Sequence, residues 1–348
     1  MANEKPLFPV FVREGRSRTK YKAGFINIDG EMAISPVYDD VRPFRNGRAA
    51  VRLGAGWGAL DESGNLAVPS RFSSPLTFTE GFAAFSIGDR HGIVDLSGEV
   101  VIPAQFQSIS HFSDGLACVR SGELYGFVDE FGRQVIPPFF EDARGFSEGL
   151  SAVKLGGKWG YIWPDGASAI ATQFDCGRAM AGPFRQGLAR VAKEGKWGHI
   201  NREGEFVITP RFDMALEFSE GLAEVQTDRR HGFVNTRDEL VIDTVYLRAG
   251  RFSQGLAQVS SSDGALHRSV MDSGKVGFID KLGNVAISPQ FVSAASFSNG
   301  HCFVETEKRI GYINRCGDFI WEGACVDVGN MDPHHLLPPE RGQPKVTP

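Results

Sequence analysis

Eight histidines, five cysteines and a recurring glutamate are the residues of this 348-residue chain whose types could do chemistry. A histidine serves as general acid, base or metal ligand when it is positioned beside a substrate or two further ligands. His91, His199 and His231 instead fall at or next to a position that elsewhere holds tryptophan, so an aromatic-sized ring is expected there for packing. His334 and His335 form a pair that could chelate a metal, but no third ligand stands at a defined spacing, and no metal site is expected. The cysteines, at 118, 176, 302, 316 and 325, are odd in number, scattered and free of any CxxC pair. They read as free thiols in a reducing cytoplasm. The chain contains no G-x-S-x-G elbow, Walker loop, H-E-x-x-H or dinucleotide fingerprint, and a triad assembled through space would leave no mark in a sequence. Glu80, Glu148 and Glu220 suggest a catalytic set until their setting is read: each lies in a copy of one short phrase, "FTEGFA", "FSEGLS" or "FSEGLA".

That phrase belongs to a repeat. Marker glycines stand at Gly24, Gly58, Gly92, Gly126, Gly160, Gly198, Gly232, Gly277 and Gly311, with steps of 34 residues except for one of 38 and one of 45. Six residues after each marker comes a second glycine, with Asp238 the exception, and fourteen after it an aromatic such as Phe72 or Phe212. Such periodicity means stacked units that cannot bury an apolar face alone. Within one unit, "LARVAKEGKWGHIN" alternates apolar residues about a glycine turn and predicts a β-hairpin. "NREG" follows as a turn, and "EFVITP" as a third strand ended or held at an edge by Pro210. In "FSEGLA" the phenylalanine is expected to plug the core between neighbours, Ser219 and Glu220 to bond turn amides, and Gly221 to turn the chain.

The pattern G-K-W-G-[FY]-I-[DN]-x-x-G, V-I-x-P-x-[FY]-D, F-S-E-G-L-A resembles the bacterial WG (KWG) repeat over roughly residues 10–325. The resemblance implies a β-repeat, propeller-like interaction module. The tryptophan survives at Trp57, Trp159 and Trp197, while Ala23, His91, Tyr125, His231, Val276 and Ile310 replace it elsewhere.

The fold class is therefore all-β, with nine tandem units over residues 1–329 and a proline-rich, disordered tail at 330–348. A propeller-like ring is favoured because closure protects strand edges, although propellers typically have four to eight blades. An open solenoid or superhelix is the alternative. The first and last units are the most irregular, and either cap an open stack or pair across a closed ring.

Candidate binding residues lie where the repeat is interrupted, since insertions gather on loops. The longer insertion, near 260–275, offers Leu266, His267, Arg268 and Met271. The shorter, near 176–182, brings Arg178 and Met180 to a unit that also carries the unusual Trp163 and lacks the usual proline after Ile170. A tryptophan and a methionine beside an arginine suit recognition. A net charge of −5 gives no reason to expect nucleic acid, and no apolar run is long enough to span a membrane. The start lacks the apolar region of a secretory signal, so the reading is cytoplasmic. The function expected is a non-catalytic scaffold for a protein or peptide, without a cofactor. The alternative is an enzyme or small-molecule binder using a central pocket. Self-association through an unclosed end strand is a further possibility.

Overall fold

The computed structural model describes residues 6–13, 21–260 and 275–324. The candidates Leu266, His267, Arg268 and Met271, and the tail from 325 onward, lie outside the described residues. The described chain forms nine small antiparallel sheets in sequence order, arranged as the blades of a nine-bladed β-propeller. Blades 1 to 9 occupy residues 8–38, 40–72, 78–106, 108–140, 142–174, 189–212, 214–246, 248–291 and 293–324.

Blade 5 shows why the repeat folds as it does. A two-residue strand, Asp142–Ala143, pairs with Ser151–Leu155, which forms a hairpin with Lys158–Ile162. The strand Ser168–Phe174 completes the sheet. The marker glycine lies under a bulge in that last strand. A Cβ on Gly160 would stand 2.6 Å from the Ile170 carbonyl oxygen, so no larger residue fits without moving backbone. The same bulge receives the proline where one occurs. Pro210 sits inside the strand Phe206–Phe212 rather than ending it, because the bulge between the pairs His199–Ile208 and Trp197–Phe212 asks nothing of its missing N–H.

The "FSEGL" corner is a two-residue turn. Ser147 and Leu150 exchange both backbone hydrogen bonds, and both central residues have positive φ, 53° at Glu148 and 78° at Gly149. Such a turn favours Asn-Gly, and holding glutamate in the left-handed region costs about 1 kcal/mol. The compensation comes from turn amides, as the sequence suggested, and they are those of the next blade. The Glu148 carboxylate accepts the amides of Gln186 and Gly187 at 2.7 and 2.9 Å, in the following corner. Glu80 holds Asp114 and Gly115 in the same way, and Gln186, Glu220 and Gln254 reach the amides of Gly221, Gly255 and Gly300. The serine also reaches forward: Ser219 donates to the Phe252 carbonyl at 2.7 Å. Successive corners are thereby tied side by side at one end of the molecule, the end that also carries the turn after the second hairpin strand.

Between blades, the ring following the marker glycine packs edge-on against the next corner phenylalanine. Tyr161–Phe184, Phe233–Phe252 and Phe278–Phe297 have centroids 4.8–4.9 Å apart. The second glycine of most units rests on the isoleucine of the blade before, as Gly166 does on Ile136, and Gly98 rests on Val68.

Both contacts recur across the chain ends. Phe8, in the first strand of blade 1, takes the corner phenylalanine's place against Tyr312 of blade 9, with centroids 5.2 Å apart. The Tyr312 hydroxyl donates to the Pro9 carbonyl at 2.8 Å, and Gly30 rests on the Ile320 backbone. One apolar cluster contains residues of both terminal blades. The irregular end units therefore join across the ring and do not cap an open stack. Among the described residues no strand crosses this joint: blade 1 holds its own three strands and blade 9 its own four.

Candidate functional site

The groove between blades 4 and 5 is an apolar recess of about 620 Å³. Its walls are Val135, Pro137 and Phe139 from the last strand of blade 4 and Leu155, Ala171 and Thr172 from blade 5. The cause is local. Blade 4 places two prolines, Pro137 and Pro138, in its bulge, whereas blade 5 has Ala171 and Thr172 at the matching positions. The smaller side chains leave space where a pyrrolidine ring would otherwise stand. Phe139 is 58% exposed, at a position that holds Val37, Arg71, Gln105, Gln173, Arg211, Val245 or Gln290 in other blades, so it is the one aromatic there. Val135 is 41% exposed beside it, and Phe131, in the turn of the same blade, 65%. The missing proline after Ile170 was the legible signal for this groove. Phe139 gave none, because an aromatic next to the regular Phe140 looks like part of the repeat.

Trp163 occupies the position where the other blades have Asn or Asp. There the side chain caps its own turn: Asp129 accepts the amides of Phe131 and Arg133 at 3.0 and 2.9 Å. Trp163 forgoes that cap, keeps the backbone turn bonds and remains 40% exposed, with the Arg202 guanidinium 5.8 Å from its ring centre. Its turn continues into Asp165 and Gly166, which line the groove. Met180 is 39% exposed, with Arg144 Nη1 2.8 Å from its sulfur. Arg178 is exposed. The three candidates do not converge. Trp163 lies at the corner end of blade 5, whereas residues 176–182 follow the strand Ser168–Phe174, which finishes at the hairpin end. Each of Trp163 and Met180 has an arginine beside it, though neither is Arg178.

His199, His231 and His301 are held by hydrogen bonds. His199 is fully buried against Phe218, and its Nε2 donates to the Leu216 carbonyl at 2.8 Å. Burial pushes its pKa down to about 4, so the ring is neutral at physiological pH. His231 is held at both nitrogens: Nδ1 lies 2.6 Å from the buried Glu224 carboxylate, and Nε2 accepts from Gln226 at 2.8 Å. A ring occupied on both sides has no nitrogen left for a substrate. Burial, with a contribution from Arg45, also lowers the pKa of His111, and burial lowers that of His301. Desolvation pushes the Cys118 thiol up to about 12 and that of Cys302 well above its ordinary value, which leaves both as poor nucleophiles. No group of three or more His, Cys, Asp or Glu poised to hold a metal occurs among the described residues.

Comparison with known proteins places the repeat. The WG containing repeat matches residues 24–56, 57–90, 92–125, 125–159, 179–197, 197–229, 232–263 and 277–309. No curated protein matches. Among solved structures, a eukaryotic initiation factor superposes with a TM-score of 0.62 at 12% identity, covering 93% of this chain and 96% of that one. At that identity the likeness speaks for the fold alone. The dihydro-heme d1 dehydrogenase NirN, in complex with DHE, gives a TM-score of 0.48 at 12% identity, covering 78% of this chain and 71% of that one. AztD from Citrobacter koseri gives 0.43 at 12% identity, covering 93% and 95%. The matched repeats take up most of the chain, and the protein belongs to the WG-repeat family.

Proposed function

We propose that this chain is a non-catalytic binding platform that receives a protein or peptide segment in the groove between blades 4 and 5. The observation that carries this reading is the pairing of an apolar recess of about 620 Å³ with an exposed aromatic at its wall, Phe139. A recess of that size holds one or two apolar side chains of a peptide, and an exposed aromatic beside it supplies contact area at low entropic cost. Blade 4 cannot extend its sheet at the bulge, since Pro137 and Pro138 lack the N–H that an added strand would need. Side-chain anchoring, not strand addition, is therefore the mode of binding at this point. The hydrogen-bonded rings of His199 and His231 and the raised thiols of Cys118 and Cys302 support a role without chemistry.

The test compares native-lysate capture on the full chain and on Phe139→Asp, with circular dichroism confirming that both are folded. A protein retained by the first and lost from the second supports the reading. Identical capture by both, or none above background, would sink it.

A further inference from the structure

At the corner end, away from the apolar groove, blades 6 to 9 border a second recess of about 550 Å³ whose side chains are all polar or charged. It is lined by Gln186, Glu220, Gln254, Lys281 and Arg315, together with the backbone of two corner glycines. We propose that this mouth binds a small phosphate ester on a hydroxylated body, of the size of a sugar phosphate. The inference is independent of the groove, with which it shares no residue.

The hydrogen-bonding capacity left over in the mouth consists mostly of donors. Gln186 and Gln254 each spend their amide oxygen on the next corner, accepting Gly221 N at 2.8 Å and Gly300 N at 2.7 Å. That fixes which side of each amide is the oxygen and leaves both Nε2 groups to donate. Lys281 Nζ lies 3.1 Å from the Glu220 carboxylate, which also accepts Gly255 N at 2.9 Å. Arg315 is exposed, and its guanidinium stands over the Gly255 backbone without an ion-pair partner among the described residues. Lys281 and Glu220 offset each other, so the mouth carries one excess positive charge in addition to its amide donors.

This distribution is particular to one side of the ring. The first central residue of the corner is acidic at Glu80, Asp114, Glu148 and Glu220 in blades 3, 4, 5 and 7, and an amide at Asn46, Gln186, Gln254 and Asn299 in blades 2, 6, 8 and 9. Four residues after the marker glycine, blades 2 and 4 carry Glu62 and Glu130, whereas blades 6, 8 and 9 carry Arg202, Lys281 and Arg315. Gln186 and Gln254 each hold one amide of the neighbouring corner, where Glu80 and Glu148 each hold two, so the tie between corners survives the exchange. The exchange removes negative charge from the side where the cations gather. A planar guanidinium beside an ammonium suits the oxygens of a phosphate, with two amide donors to complete the shell. Inorganic phosphate alone would leave most of the recess empty. Glu220 can accept from hydroxyl groups of the attached body, and the polar and charged side chains around the recess favour such a body over an apolar one.

Isothermal titration of the full chain with glucose 6-phosphate tests the proposal, with glucose and inorganic phosphate as comparison titrants. Glucose 6-phosphate is expected to bind more tightly than phosphate, and glucose not to bind. Arg315→Ala and Lys281→Ala should each weaken binding about tenfold or more, the loss of one charge-assisted contact. Glu130→Gln, on the acidic side, should leave it unchanged. Arg315→Lys should keep part of the affinity that Arg315→Ala loses, which a merely structural role would not require. Absence of binding at millimolar glucose 6-phosphate, or equal affinity in the parent and Arg315→Ala, would overturn the proposal.

Discussion

His199 gives the most quantitative handle on this fold. It occupies the position that Phe233 and Phe278 hold in blades 7 and 8, and packs on Phe218 with ring centres 4.8 Å apart. Its Nδ1 is buried without a partner, so protonation would place a charge where nothing receives it. Burial lowers the folded pKa from 6.5 to about 4. The sign follows from linkage. A histidine whose folded pKa lies below its unfolded value contributes fully above the unfolded pKa, and the contribution is lost as pH falls from about 6.5 towards about 4. At pH 5 the unfolded state is almost wholly protonated at this site and the folded state barely so, a difference of about 2 kcal/mol. His199→Phe should abolish that loss while keeping the edge-on ring contact. It gives up the bond to the Leu216 carbonyl, about 1 kcal/mol, at every pH. The assay is urea unfolding of both proteins at pH 7.5 and pH 5. The parent should lose about 2 kcal/mol more than the variant on acidification. Other lowered histidines, His111 and His301, act in both proteins and cancel in the comparison. Equal pH dependence in the two proteins would refute the claim that this ring is sealed in the core.

Two glycines should separate conformational cost from collision. Gly47→Ala meets nothing within 4 Å and suffers only from its φ of 75°, so a loss of about 1 kcal/mol is expected in denaturant unfolding. Gly160→Ala drives a Cβ towards the Ile170 carbonyl 2.6 Å away and should cost about 3 kcal/mol; similar losses for the two would contradict the bulge argument. In native thiol labelling, the exposed Cys316 should react quickly, whereas buried Cys118, Cys176 and Cys302 should react only after denaturation.

The periodic part of the fold was legible in the sequence because each landmark answers a need that recurs once per unit. The marker glycine lies under a bulge, the second glycine rests on the previous blade's isoleucine, and the corner phenylalanine meets the ring before it. Asp238 broke the pattern for a reason visible only in three dimensions. In place of glycine packing, its carboxylate reaches back to Thr209 and Arg211 of the preceding blade. The direction of the corner bonds was also hidden, since nothing in "FSEGL" says whether glutamate caps its own turn or the next one. Closure was hidden for a different reason. Phe8 belongs to no copy of the corner phrase, yet its ring fills the place of a corner phenylalanine against Tyr312. The candidate residues followed the same division. Trp163 stood out as a departure from the Asx turn and proved exposed, whereas the groove at Phe139 and the polar mouth arise between blades and have no contiguous signature.

Closure of the ring is the claim on which both recesses depend as parts of one rigid body, and a double-mutant cycle on Phe8 and Tyr312 tests it most directly. These rings are far apart in the chain and meet only if blade 1 packs on blade 9. Phe8→Ala and Tyr312→Ala, alone and combined, are compared by denaturant unfolding. The account predicts a coupling energy of about 0.5–1.5 kcal/mol between the two positions, as for other edge-packed aromatic pairs. Strict additivity of the two losses would contradict closure at this joint.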